Sequence, residues 1–90
     1  MFEKLVEKIN SYNDNDVFGY ISATISYKGD TIAELNFSSY DITYADDGMI
    51  YIRYDDTDIS IPCNNAVVTY HPDYDTYEIK EDDLVIEITF

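Results

Sequence analysis

Carboxylate side chains recur in short runs along this sequence: ADDG from Ala45, YDDTD from Tyr54, PDYD from Pro72 and EDDL from Glu81. Groups this close together could ligate a divalent cation, exchange protons in acid and base catalysis, or present ordered negative charge to a cationic surface. Because like charges repel, each run costs folding free energy unless something neutralises it. The runs therefore need an explanation beyond turn formation.

Metal binding is the first possibility. Asp14 and Asp16 match the first and third positions of a calcium-binding loop and Gly19 matches the sixth, but apolar residues stand at the fifth and twelfth. The loop also leads into a predicted strand rather than a helix. Cysteine and histidine are too few for a zinc site. We predict no metal site and no cofactor, and leave opportunistic calcium binding open at Asp55, Asp56 and Asp58.

Catalysis is the second possibility. His71 is the only histidine and Cys63 the only cysteine, and no third group to orient such a pair is evident. A pair of catalytic carboxylates must flank a substrate cleft, which a small sheet protein hardly provides. Glycine-rich nucleotide-binding motifs are also missing from the sequence. The sequence therefore predicts a protein that is not an enzyme and has no catalytic residues.

The overall charge restricts the class of partner. Nineteen acidic residues against five basic ones give the 90-residue chain a formal charge of −14 at pH 7. This charge disfavours direct binding to nucleic acid or anionic lipid, whose phosphates repel it over a Debye length of about 8 Å. Yet 46% of residues are hydrophobic and 16% aromatic, so the chain can fold around a core. We expect a folded protein with a basic partner.

The sequence also bears on localisation. No apolar run approaches the roughly 18 residues of a membrane span, and MFEKLVEKIN lacks the pattern of a signal peptide. A single cysteine cannot form an internal disulfide, which agrees with a reducing compartment. These features predict a cytoplasmic protein that does not bind membranes.

Periodicity predicts one helix followed by strands. Phe2, Leu5 and Ile9 recur at helical spacing with charged residues between them, which predicts an amphipathic helix over about residues 2–12. From residue 17 the period becomes two. An odd loop such as 28–30 then places Ala33 opposite Ile25 on one face of a hairpin.

The following strands can also be aligned from their pattern. A loop at 46–48 puts glycine at its third position and aligns two strands whose facing residues are Tyr40, Ile42 and Tyr44 with Ile50, Ile52 and Tyr54. Short strands follow at 59–61 and 66–71. A four-residue loop, KEDD, then aligns Tyr77 and Ile79 with Leu84 and Ile86. The fold class predicted is α+β: a single domain over 1–90 with the helix packed on an antiparallel meander of six or seven strands between 17 and 90, with a closed barrel as the alternative.

A meander would collect the turn carboxylates at two ends of the sheet. One end would hold Asp30 with the turns at 46–47 and 81–83; the other would hold the turns at 55–58 and 73–75 with the end of the helix. Since strands lie about 4.8 Å apart, carboxylates in neighbouring turns would lie roughly 5 to 10 Å apart. Tyrosines near the turns would add contact area at low entropic cost. The residues predicted to bind the partner are Asp14, Asp16, Asp46, Asp47, Asp55, Asp56, Asp58, Asp73, Asp75, Glu81, Asp82, Asp83, Tyr54, Tyr74 and Tyr77.

The MFEKLVEKI helix, the tyrosine-rich strands and acidic turns such as YDDTD and EDDL resemble the DNA-mimic inhibitors of phages and mobile elements, including anti-CRISPR and anti-restriction proteins. The resemblance is one of physical profile over the whole chain rather than of a motif. It implies a non-catalytic inhibitor that acts in the bacterial cytoplasm and blocks the DNA-binding site of a defence nuclease, with an RNA-guided nuclease as the leading case. An immunity protein or antitoxin that neutralises a basic toxin, and a phage accessory protein, are the alternatives.

Overall fold

The computed structural model describes residues 2–45 and 47–90, which form one α-helix, eight strands and two single-turn 3-10 helices at Ser39–Asp41 and Pro72–Tyr74. The bounds are α1 Phe2–Asp14, β1 Tyr20–Tyr27, β2 Asp30–Ser38, β3 Ile42–Tyr44, β4 Met49–Tyr54, β5 Thr57–Pro62, β6 Val67–His71, β7 Thr76–Glu81 and β8 Leu84–Thr89.

The helix α1 buries Leu5 and Ile9 on one face, as the periodicity predicted. It ends two residues later than the predicted position because its last turn is held by side chains. The Asn13 amide donates to the carbonyls of Ile9 at 3.2 Å and Ile42 at 3.0 Å. The second of these bonds links the last turn of the helix to the main chain of β3.

The strands form two antiparallel sheets, so the prediction of one meander with six or seven strands is wrong. A five-stranded sheet has the order β2-β1-β8-β7-β6, and a three-stranded sheet has the order β3-β4-β5. The last strand inserts between β1 and β7 and pairs Ile86 with Ile25 and Ile88 with Ala23. Alternation shows that β8 has an apolar face but cannot show which strands flank it. The coarser prediction, an α+β fold with the helix on antiparallel strands, is confirmed, and two separate sheets replace the barrel alternative.

One buried cluster joins the helix to both sheets. It includes Leu5 and Ile9 from α1, Ile50 and Ile52 from β4, and Ile88 from β8. Burying an aliphatic side chain of this size contributes about 1.5 to 3 kcal/mol before conformational entropy is subtracted. The core therefore occupies one face of the five-stranded sheet and leaves the other face, formed by the alternating polar residues, to solvent.

Two of the three predicted hairpin alignments are confirmed. Ala33 lies opposite Ile25, although the turn is the two-residue Lys28–Gly29 and the odd count comes from a bulge in which Ile32 is the extra residue. Across the next hairpin Ile42 pairs with Ile52 and Tyr44 with Ile50, and Gly48 is left-handed with φ 83° as predicted. Tyr40 is not in β3, because a 3-10 turn occupies Ser39–Asp41.

The alignment predicted for the last hairpin is wrong by two residues. Ile79 pairs with Ile86 rather than Leu84, and Tyr77 pairs with Ile88. The predicted four-residue loop is a two-residue turn at residues 82–83, in which Asp82 takes the left-handed conformation with φ 52°. Aspartate adopts this conformation more readily than most residues, which allows the tighter turn.

Candidate partner-binding surface

Two acidic turns meet at one end of the five-stranded sheet. Since β1 pairs with β8, the turn before Asp30 lies beside the turn at 82–83, and the Lys28 amide donates to the Asp83 carbonyl at 2.9 Å. Asp82 and Asp83 are exposed and Glu81 is half-buried. No side-chain or main-chain donor of the described residues contacts the carboxylates of Asp82 and Asp83. This group, Asp30 with residues 81–83, is named the turn-end cluster.

The turn between β3 and β4 was predicted to lie at the same end, but its Asp47 carboxylate is hydrogen-bonded within the three-stranded sheet. Asp47 accepts hydrogen bonds from the Met49 amide at 3.0 Å and the Tyr51 hydroxyl at 2.6 Å. The hydrogen bond to Asp47 raises the pKa of Tyr51, because losing that proton would remove the bond and create a second negative charge. Asp46, also predicted to bind the partner, lies outside the described residues. Asp47 therefore already has two partners in the free protein.

The single cysteine connects this turn with the turn-end cluster. The Cys63 amide donates to the Gly48 carbonyl at 3.3 Å, and the thiol is buried. Burial, and secondarily the charge of Glu81, raises the pKa of the Cys63 thiol. A thiol with a raised pKa carries little thiolate and is a poor nucleophile or metal ligand at neutral pH. The cysteine is therefore a core residue near Glu81.

The turn between β4 and β5 presents three exposed carboxylates, Asp55, Asp56 and Asp58. Asp55 and Asp56 are left-handed, with φ 52° and 62°, and no donor of the described chain contacts their side chains. Asp58 faces Arg53 across the hairpin at 3.9 Å, with both side chains about 70% exposed. A pair this open contributes only about 0 to 1 kcal/mol. Tyr54 lies beside them, partly exposed. Residues 54–58 are named the hairpin cluster.

The turn between β6 and β7 has two exposed side chains and one that is hydrogen-bonded within the protein. Asp73 and Tyr74 are exposed, the tyrosine to 78%. Asp75 instead accepts from the Lys8 ammonium group and the Tyr70 hydroxyl, each at 3.0 Å. Partial burial alone would raise the pKa of Asp75, but the bonds from Lys8 and Tyr70 outweigh it and lower that pKa. The same bond to Asp75 raises the pKa of Lys8. Asp75 thus ties this turn to the helix.

Tyr77 lies in the core and is only 6% exposed. Its ring packs against Tyr70 at 4.7 Å and Phe90 at 5.8 Å between centroids. Burial, and then the charge of Asp75, raises the pKa of the Tyr77 hydroxyl. The side chain therefore belongs to the inner face of the sheet, where it offers a partner little surface.

Asp14 and Asp16 are exposed, and the Asp16 carboxylate lies beside a group of aromatic side chains that was not predicted to form a site. Phe18, Tyr20 and Tyr40 are 53%, 81% and 51% exposed. The Phe18 ring lies 5.1 Å from Tyr20 and 5.8 Å from Tyr40 between centroids. Partial desolvation, and then the adjacent Asp16 carboxylate, raises the pKa of Tyr40. These three rings are named the aromatic patch. Its signal in the sequence was that Phe18 and Tyr20 alternate with the apolar positions of β1.

A row of carboxylates crosses the solvent face of the five-stranded sheet and was also missed. Cross-strand pairing runs from Glu34 to Thr24, Glu87 and Glu78 on successive strands β2, β1, β8 and β7. Glu78 lies 3.8 Å from the His71 imidazole, whereas no cation of the described residues contacts Glu34 or Glu87. The signal was the polar residue at every second strand position. Glu34, Glu78 and Glu87 are named the face row.

The surfaces described above carry mainly carboxylate and aromatic side chains. Among residues 2–45 and 47–90, no three Asp, Glu, His or Cys side chains come together in a way that could hold a metal ion. The one histidine is paired with a carboxylate and the one cysteine is buried. In the same ranges, no helix is both long and apolar enough to cross a membrane. What the surface offers is exposed carboxylate and aromatic contact.

Comparison of the chain with protein-family models, curated proteins and solved structures found no match in any of the three.

Proposed function

We propose that this protein is a non-catalytic inhibitor that imitates the charge of nucleic acid and occupies the DNA-binding site of a basic protein. A bacterial defence nuclease, with RNA-guided nucleases first, is the partner class that this chemistry fits best. The observation that carries the proposal is a set of carboxylates that contact no cation or donor of the described chain: Asp55, Asp56, Asp82, Asp83 and Glu34 are exposed, and Glu87 is half-buried.

The spacing of the face row supports imitation of a phosphate array. Adjacent strands lie about 4.8 Å apart, so Glu78 and Glu87, which face each other directly, bring two carboxylates together across one strand interval. Phosphates of duplex DNA supply one charge per roughly 3.4 Å along each strand. A groove whose lysines and arginines are spaced for phosphates can therefore meet these carboxylates with the same side chains.

Electrostatic energy supports a basic partner. With a formal charge of −14, the free protein repels itself, and only three of its Lys and Arg side chains lie within 4 Å of a carboxylate among the described residues. Binding to a cationic cleft would relieve that repulsion. Long-range attraction of this kind raises association rates by about 10 to 1000-fold and falls steeply as salt is added.

Competition with DNA tests the proposal directly. The immobilised protein should capture a basic nucleic-acid-binding protein from bacterial lysate at low salt. Duplex DNA or guide-bound nucleic acid should then displace that partner in proportion to its occupancy of the partner's DNA site, as measured by fluorescence anisotropy. A partner that stays bound at saturating DNA concentration would contradict nucleic-acid imitation and indicate a toxin-neutralising protein instead.

A further inference from the structure

The aromatic patch exposes three large rings to solvent, where most such side chains would be buried. Phe18, Tyr20 and Tyr40 contact one another at 5.1 and 5.8 Å and are each more than half exposed. Exposed aromatic clusters on small proteins mark interaction sites, since tyrosine and other aromatic side chains dominate the centres of protein interfaces. Phe18 and Tyr20 meet edge-to-face, with 82° between ring planes, and both rings remain more than half exposed to a ligand.

The backbone that holds the patch is rigidly tied together. Ser39 is almost completely buried, and its hydroxyl donates to the Val17 carbonyl at 2.6 Å while accepting from the Gly19 amide at 3.0 Å. The Ser39 amide also donates to the Gly19 carbonyl at 2.8 Å. The segment that carries Phe18 is therefore bonded to the segment that carries Tyr40. A preformed site of this kind loses little conformational entropy when it binds.

The charges around the patch select a cation. Asp16 lies beside the Tyr40 hydroxyl, and Tyr40 shares a groove with Asp41, whose carboxylate accepts from the Ser38 hydroxyl at 3.1 Å. Arg53 also lines this groove and is paired with Asp58 at 3.9 Å. Elsewhere in the described chain, aromatic rings already hold a lysine of the same chain: Lys8 lies over two rings and Lys28 over Tyr27, at 5.5 to 5.7 Å. No lysine or arginine of the described residues lies over the three rings of the patch.

We propose that the aromatic patch binds an arginine side chain of the basic partner, which stacks on the open rings while its N–H groups reach the carboxylates of Asp16 and Asp41. Arginine fits better than lysine because a planar guanidinium can stack on a ring and still donate in its plane to a carboxylate. The inference rests on the proposed function for the basic character of the partner. It goes beyond that function by assigning the centre of the interface to aromatic contact rather than to the acidic turns.

Two peptides of equal charge test the patch. The probes are capped peptides of alternating glycine and arginine, or glycine and lysine, titrated at moderate salt and followed by NMR of the aromatic ring protons. We expect the arginine peptide to bind about fivefold more tightly than the lysine peptide. We also expect it to shift Phe18, Tyr20 and Tyr40 more than the other exposed rings. Equal affinities, or equal shifts over Tyr27 and Tyr74, would overturn the inference.

A matched pair of variants on one strand completes the test. Tyr20→Leu removes a ring of the patch at the start of β1, whereas Tyr27→Leu removes an exposed tyrosine at the end of the same strand. We expect Y20L to lose the preference for arginine and Y27L to keep it. Phe18→Leu should behave as Y20L does, and the methyl spectrum of each variant verifies its fold. A preference that survives both Y20L and F18L would refute the assignment.

The peptide test separates this inference from the proposed function because it uses neither a nuclease nor DNA. If DNA fails to displace the partner while the arginine peptide binds the patch, the patch assignment stands and the partner class is wrong. If DNA displaces the partner while the two peptides bind alike, nucleic-acid imitation stands and the patch is not an arginine site.

Discussion

Two turns of this protein hold aspartate in the same backbone conformation but use its side chain differently. Asp75 has φ 49°, and Asp55 and Asp56 have φ 52° and 62°. Aspartate tolerates this left-handed region better than most residues, so turn formation alone accounts for its presence in both places. The side chains differ: Asp75 accepts from Lys8 and Tyr70, whereas no donor of the described residues contacts Asp55 or Asp56.

The presence or absence of an internal donor divides the carboxylates of this protein into two groups. A carboxylate with an internal donor stabilises the free fold and would lose that donor if a partner claimed it. One without a donor only repels its neighbours until something basic arrives. On this criterion Asp75 and Asp47 hold the fold together, while six carboxylates without an internal partner are available for binding: Asp55, Asp56, Asp82, Asp83, Glu34 and Glu87.

The largest effect is expected from neutralising the hairpin cluster. Asp55→Asn, Asp56→Asn and Asp58→Asn together should weaken binding to the basic partner about 100-fold, if each lost charge pair contributes roughly 1 kcal/mol. The melting temperature should stay the same or rise, because self-repulsion falls. Calorimetric titration and thermal unfolding measure the two quantities.

A control of equal charge distinguishes the two ends of the molecule. Glu81→Gln, Asp82→Asn and Asp83→Asn remove the same charge from the turn-end cluster, so the variant with the weaker binding identifies the end that meets the partner. Binding that survives the hairpin substitutions together with a loss of stability would mean that Asp55, Asp56 and Asp58 are structural or hold a metal ion.

An intermediate effect is expected from Asp75→Asn, which tests whether a carboxylate with internal donors stabilises the free fold. Asparagine also tolerates positive φ, so the substitution removes the charge-assisted bonds and should lower the free energy of unfolding by about 1 kcal/mol at pH 7. Because the folded-state pKa of Asp75 is lowered, its contribution is present above the unfolded value of about 3.9 and disappears as pH falls through the folded value.

Urea unfolding at several pH values measures this contribution. The stability difference between wild type and D75N should be constant from about pH 5 to neutrality and narrow below about pH 4. The raised pKa of Lys8 keeps the pair charged on the alkaline side until the lysine itself titrates. Asp56→Asn is the control, and its stability should differ little from wild type. A D75N protein as stable as wild type at neutral pH would show that the Lys8–Asp75 pair contributes nothing.

Local features of this fold could be read from the sequence. The helix face, the opposition of Ile25 and Ala33, and the left-handed Gly48 follow from periodicity and turn chemistry, and all are present in the structure. The strands that pair with β8 could not be predicted from the sequence pattern. Pairing of β8 with β1 joins residues 57 to 67 positions apart, and its free energy depends on the whole core rather than on the pattern of either strand.

The surface was only partly predictable, because local sequence gives the turns but not the tertiary contacts of their side chains. Turn composition located the exposed carboxylates of the hairpin and turn-end clusters, but a side chain's partner depends on the tertiary fold, so Asp75 and Asp55 looked alike. Tyr77 was predicted to bind the partner because it lies near an acidic turn, but its ring packs on Tyr70 and Phe90 on the same inner face as Ile79. The face row needed the order of four strands before its members could be seen as neighbours.

The smallest effect concerns the choice of aspartate at the tip of the β4–β5 hairpin. Two consecutive left-handed residues fit the two-residue turn that asparagine followed by glycine forms most readily. Two aspartates add repulsion and put a Cβ where glycine would relieve backbone strain. The sequence therefore has a less stable turn than the geometry permits, which is understandable if the carboxylates serve binding.

Asp55→Asn combined with Asp56→Gly should raise the free energy of unfolding by about 0.5 kcal/mol while weakening binding to the partner. The gain is small because glycine also loses more entropy on folding, which offsets part of the relief. The same pair of replacements at Asp82 and Asp83 is the control, since only Asp82 is left-handed there and glycine at the second position brings no relief. Chemical denaturation measures both variants. A loss of stability at residues 55–56 as large as that at 82–83 would mean that these carboxylates support the free fold, and the distinction from Asp75 would fail.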